Sequence, residues 1–122
     1  MIRIVIKEPL KEPVVRMIPN SLEEMQNIVG GRIEIIPYKD GIDIYLNEEG
    51  KLLQLPPNLK LMSRGSVYDV VVGSVFFAKV NKKGETVSLE LDECIKIMLE
   101  LDAISIRSEL EQQFYTEQLK EI

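Results

Sequence analysis

The residues able to do chemistry are few, and one type is missing altogether. The 122 residues contain no histidine and a single cysteine, Cys94. Ser-His and Cys-His nucleophile pairs are therefore excluded, together with the commonest general base. The usual zinc and copper sites go with them. One cysteine forms no intrachain disulfide, and Cys94 reads as a small buried apolar residue. Carboxylates are plentiful, but the pairs Glu23-Glu24, Glu48-Glu49 and Asp92-Glu93 are sequence neighbours in turns or at helix starts. Acid–base catalysis needs two carboxylates in different environments facing one substrate. No loop has an EF-hand pattern, so no metal is expected. Val29-Gly30-Gly31-Arg32 ends a helix rather than opening one, and so offers no helix N-terminus to an anion. The chain reads as a non-enzymatic protein without cofactor.

What remains is binding chemistry. Phe76-Phe77 lies in the most apolar strand, where neighbouring side chains point to opposite faces. One ring enters the core; the other is covered by a helix, by an oligomer partner or by a ligand, for which it is a stacking platform. Lys79, Lys82 and Lys83 add positive charge close by. Asn58 and Asn81 are turn residues first and ligand contacts second. Arg107 is the only arginine in the last 58 residues. It forms a surface ion pair, or it holds a phosphate by bidentate hydrogen bonds.

These residues need a scaffold. The length fits one domain, 1–122, with a β-rich core over 1–89 and a helical segment over 90–122. No apolar run approaches a membrane span, and the N-terminus alternates too regularly for a signal peptide; a cytoplasmic protein is expected. Residues 88–122 hold nine acids and three bases. Such a segment disfavours DNA or RNA backbone binding and reads as a solvated helix face or a surface for a basic partner.

Ile2, Ile4 and Ile6 alternate with Arg3, Val5 and Lys7, predicting a half-buried strand. Val14 to Ile18 is its hairpin partner. Ser21-Leu22-Glu23-Glu24 has the form of a capping box and Gly30-Gly31 of a stop, bounding a short helix. Arg32–Tyr38, Ile42–Leu46 and Lys51–Leu55 predict an antiparallel meander, with an Asp40-Gly41 turn. Pro56-Pro57-Asn58 reads as a loop, pinned by Leu59 and Leu61. Val67–Val80 is one strand, with Gly73 marking a bulge or a close approach. Glu85–Leu89 returns as the last strand.

Leu91, Ile95, Met98 and Leu99 then mark the apolar face of a helix, and Ser105 is a candidate N-cap for another. That last helix carries Ile106, Leu110, Phe114 and Ile122 on its apolar face. Phe114, Tyr115, Leu119 and Ile122 close their own core or form a dimer contact. The fold class is α+β: an antiparallel β-sheet core, one short helix in the N-terminal half and two C-terminal helices.

The runs V-G-G-R-I-E-I-I-P at 29–37, N-E-E-G-K-L-L-Q-L-P-P-N at 47–58, Y-D-V-V-V-G-S-V-F-F at 68–77 and V-S-L-E-L-D-E at 87–93 resemble the domain of unknown function 3846 family. Its members occur in phages, plasmids and conjugative elements. The resemblance covers roughly residues 1–100 and carries no reaction. The β-rich core followed by helices is also similar to the Thoeris anti-defence proteins, sponges that sequester cyclic nucleotide immune signals. That likeness implies an anti-defence protein that binds a small nucleotide and shares the contacts between subunits of a homo-oligomer. The residues it implies for the ligand are Phe76 or Phe77, Asn81 or Thr86, and Arg107, with Lys79 adding charge. The alternative is a protein–protein or anti-restriction regulator docking through its acidic C-terminal helices.

Overall fold

The computed structural model describes residues 1–120; Ile122, expected on the last helix, lies outside them. The strands are β1 (Ile2–Lys7), β2 (Val14–Ile18), β3 (Ile33–Lys39), β4 (Ile42–Asn47), β5 (Pro57–Ser63), β6 (Ser66–Val72), β7 (Val75–Val80) and β8 (Thr86–Val87). The helices are α1 (Leu22–Val29), α2 (Leu91–Ile104) and α3 (Glu109–Lys120). The α+β class, the antiparallel sheet and the three helices agree with the sequence.

The main sheet runs β2-β1-β7-β4-β3, with β8 also on β7, and every recorded pairing is antiparallel. β7 sits centrally because V-F-F-A is apolar on both faces, as a strand covered on both sides must be. Val5, Ile44 and Phe77 face one core, shared with Cys94, Ile97 and Leu101 of α2. Ile4, Ile6, Tyr45 and Phe76 face the other, shared with Met25 and Val29 of α1. α1 is bounded as expected: the Ser21 hydroxyl accepts from the Glu24 amide at 3.2 Å, and Gly30 turns left-handed with φ 80°.

Several expectations are corrected. Lys51–Leu55 is a succession of turns, not a strand, so the meander stops at β3–β4 and β4's other neighbour is β7. The Pro pair does not exclude a strand: Pro57 opens β5, where a first position needs no donor. β5 and β6 form a separate two-stranded sheet around an Arg64-Gly65 turn with φ 52° and 79°. The long strand from Val67 divides at Gly73-Ser74 into β6 and β7. The last strand is only Thr86–Val87.

Ser105 ends α2 instead of capping α3, and the Ser108 hydroxyl accepts from the Glu111 amide at 3.1 Å. α2 buries Cys94, Ile97 and Leu101, leaving Leu91, Ile95 and Leu99 exposed. Ile106 is buried before α3 begins, while Leu110 and Phe114 are exposed and Tyr115 and Leu119 pack inward. Both helices carry apolar residues on more than one side, so spacing alone did not select the buried one. No helix among the described residues is long and apolar enough to cross a membrane.

Candidate functional site

The six residues expected at a ligand site do not converge. Phe76 and Phe77 are both fully buried, on opposite faces of the sheet. Phe76 stacks on Tyr45 with centroids 4.6 Å apart, and Phe77 meets Tyr38 edge-on at 5.2 Å. The protein's own packing occupies both rings, so no open aromatic face lies there. Lys79 pairs with Glu93 at 2.8 Å. Burial pushes the Glu93 carboxyl up, but Lys79 and the Glu90 amide outweigh it and hold it below the usual range. Asn81 closes the β7–β8 turn, its oxygen accepting from the amides of Lys83 at 2.9 Å and Glu85 at 3.0 Å. The Thr86 hydroxyl lies 2.7 Å from the Tyr45 hydroxyl. Arg107, half-exposed, donates to the backbone oxygen and the carboxylate of Asp102.

Of the six, Arg107 lines a polar cavity, and that cavity contains a residue the sequence did not single out. Its volume is about 120 Å³, and its walls include Lys7, Lys11, Glu12, Asp102, Ser105 and Arg107. Lys7 ends β1, and alternation assigned it to a solvated face. It is 2% exposed instead, because the end of α2, the Ser105-Ile106 segment and Asn58 of β5 cover that face of the sheet. Its ammonium donates to the Glu8 carbonyl at 2.8 Å and to the Asn58 side-chain oxygen at 3.1 Å. Asn58 is fully buried and returns two bonds, to the carbonyls of Lys7 at 2.9 Å and Gly73 at 2.8 Å. This one amide fastens β1, β5 and the β6–β7 junction together.

The partners of Lys7 are neutral. Among the described residues no carboxylate lies within ion-pair distance of its ammonium, although an ammonium has three donors and two are used. Burying a cation without a counter-charge is costly. Burial pushes the Lys7 amine below its ordinary pKa; Glu12 opposes this and Arg107 reinforces it. A buried ammonium beside a guanidinium, in a space for roughly four waters at about 30 Å³ each, is suited to one phosphate- or carboxylate-sized anion. The sequence named Arg107 and, as a second choice, Asn58, but no signal pointed to Lys7, because Lys7 and Asn58 meet only through the tertiary fold.

A pH effect follows from the lowered amine. Between the folded and unfolded pKa values of Lys7 the unfolded chain binds more protons, so this residue's contribution to stability rises with pH in that window. Below the window its charged form imposes a constant penalty. The wild-type minus Lys7→Met stability difference is therefore expected to become more favourable to wild type as pH rises toward about 10.4, the unperturbed lysine value. Denaturant melts of both proteins across the alkaline range measure it; a flat difference contradicts the buried ammonium.

Comparison with known proteins gives a family. A family model described as "Domain of unknown function (DUF3846)" matches residues 2–102. No curated protein and no solved structure matches the chain. The match includes Lys7, Asn58 and Gly73, and ends before Arg107 and α3.

Proposed function

Since the chain belongs to the domain of unknown function 3846 family, whose description carries no reaction, we propose from the site itself that it binds and sequesters a small nucleotide without turning it over. The ligand class is the cyclic nucleotide immune signal of an anti-defence sponge. One observation carries the reading: a buried ammonium with neutral partners stands beside Arg107 in a polar cavity of one phosphate's size. A phosphate there takes charge-assisted bonds from both cations, on a wall that also carries Lys11, Glu12 and Asp102. The cavity takes the phosphate alone, and the rest of the nucleotide lies over its rim.

Titration calorimetry with cyclic ADP-ribose isomers and cyclic dinucleotides tests this. Binding is expected, with the ligand released unchanged on heating. Lys7→Met is expected to lower affinity at least tenfold, the loss of about 1.4 kcal/mol or more of a charged hydrogen bond. Arg107→Ala weakens binding less, since its guanidinium is already shared with Asp102. No binding across the panel, or release of a hydrolysed product, overturns the proposal. A second reading, docking of α3 on a partner with a basic rim, is favoured by exposed Leu110 and Phe114 on a helix with exposed Glu109 and Glu117. There Lys7→Met is silent, and charge reversal at Glu109 and Glu117 abolishes partner capture.

A further inference from the structure

We propose that the cavity around Lys7 selects its ligand by charge: it takes a phosphodiester, which carries a single negative charge, and discriminates against a phosphomonoester, which carries about 1.5 to 2 at pH 7. This selectivity rests on the reading of the cavity as a phosphate site and narrows that site to one ligand class. Its origin is the mixed wall. Lys7, Lys11 and Arg107 bring three cations to it, and Glu12 and Asp102 bring two carboxylates. Lys11 is also paired with Glu8 at 3.0 Å, so the charges at the site come close to cancelling. Arg107 holds Asp102. Glu12 is exposed and has no ion-pair partner among the described residues. Burial lowers the pKa of the Lys7 amine, and among the charges around it Glu12 weighs most, ahead of Arg107 and Glu8. The Glu12 carboxylate therefore acts on whatever Lys7 binds.

Two opposing effects decide between the ligands. Attraction to the wall grows in proportion to the ligand's charge. The cost of taking an ion out of water grows as the square of its charge. A strongly basic wall favours the dianion, because attraction outruns that cost. A wall of nearly cancelled charge does not, since the second negative charge gains little attraction and adds the larger share of the cost. The cavity is small, about 120 Å³, and Lys7 in its wall is shielded from solvent. A phosphate that reaches Lys7 therefore leaves much of its water behind.

The donors fit the same ligand. Lys7 uses two of its three N–H bonds on the Glu8 carbonyl and the Asn58 oxygen and keeps one. Arg107 uses two of its five, both from Nη2, on Asp102. A phosphodiester has two unesterified oxygens, one for each of these cations. A monoester has three. The Ser105 hydroxyl, also in the wall, has a single hydrogen and donates it to the Leu101 carbonyl at 2.6 Å. It therefore offers the cavity lone pairs only, which repel a third charged oxygen. Lys11 is the remaining cation, and Glu8 holds it. Leu10, Pro13 and Met98 bring apolar surface to the wall. That surface suits the ester carbons of a diester better than a charged oxygen.

Calorimetry with 3′,5′-cyclic AMP and 5′-AMP compares a phosphodiester and a phosphomonoester on the same nucleoside. Near pH 7.5 the monoester is almost wholly a dianion, its second pKa being about 6, and cyclic AMP is expected to bind about tenfold tighter or more. Lowering the pH to about 5.5 makes the monoester mostly a monoanion; AMP binding is expected to strengthen about fivefold, while cyclic AMP changes less than about twofold. The chain has no histidine, so no side chain with an ordinary pKa titrates between these values. Glu12→Gln, at an exposed position, is expected to narrow the preference about threefold or more by removing a negative charge from the wall. Lys7→Met is expected to weaken both nucleotides. AMP binding as tight as cyclic AMP near pH 7.5, an AMP affinity that does not change with pH, or a preference unchanged by Glu12→Gln overturns the charge selectivity. If Lys7→Met still weakens both nucleotides in that case, the phosphate site itself stands. Binding of neither nucleotide up to about 10 mM overturns the phosphate site, and the selectivity with it.

Discussion

Asn58→Ala is expected to be the most damaging polar substitution in the chain, at about 3–5 kcal/mol, a large fraction of a domain's whole stability. Its amide gives two bonds, to the Lys7 and Gly73 carbonyls, and accepts one from the Lys7 ammonium, with no exposure to solvent. Removing it leaves buried carbonyls short of a donor and a buried cation short of an acceptor, each costing about 1–3 kcal/mol. The Asn58 backbone carbonyl, which accepts from Ile106, is retained. Denaturant titration reads the loss as a lower midpoint at constant slope. Asn81→Ala is the contrast: its bonds close an exposed turn, and it costs about 1 kcal/mol or less. Equal losses for the two asparagines refute the anchoring role of Asn58. Asn58→Asp separates two effects, for it supplies Lys7 with a counter-charge but removes both donors. It is expected to be destabilised and also to lose anion binding.

Gly73→Ala is expected to cost about 2–4 kcal/mol through two additive causes. Gly73 has φ 76°, where a side chain costs about 1–2 kcal/mol. A Cβ there would also lie 2.7 Å from the Leu55 Cδ1 and 3.3 Å from its Cβ. The tip of Leu55 can swing away; its Cβ moves only with the backbone, which the Gly73 amide bonds through Pro56 at 2.8 Å. Leu55→Ala in the same chain removes the Cδ1 contact and leaves the Cβ contact and the backbone part. The double variant should be more stable than the sum of the single losses predicts, by about 0.5–1 kcal/mol. Strict additivity means that the Leu55 tip contributes nothing to the penalty.

Local chemistry made much of this fold legible. Asp40-Gly41 predicted a hairpin turn, and both residues have positive φ. Ser21 and Gly30 bounded α1 as their side chains, or lack of one, dictate. Gly73 marked both a break in the long strand and a close approach. What failed depended on partners distant in sequence. Nothing local says that β4 leaves its neighbour at 51–55 and pairs with β7. Alternation placed Lys7 on a solvated face, but a strand between two others, covered on both sides, buries it. α2 offered two apolar sides, and the choice lay with Val5 and Phe77 beneath it. Of the expected ligand residues, Arg107 was readable as an isolated cation, and it does line the cavity. The Phe pair was readable as aromatic, but its cover, Tyr45 and Tyr38, comes from two other strands.

The order of the main sheet has a consequence for the chain as it is made. Val5 pairs with Phe77, so β1 cannot take its inner place until a segment about seventy residues downstream has left the ribosome. At about 5–20 residues per second, that delay is roughly 4–14 s. Throughout it, Ile2, Ile4 and Ile6 are an apolar β-strand with at most β2 for company, a form prone to pair with the wrong edge. Synthesis of β7 ends the wait for an inner partner by joining the β1–β2 and β3–β4 hairpins, but the face that holds Val5 and Phe77 is covered only when α2 follows.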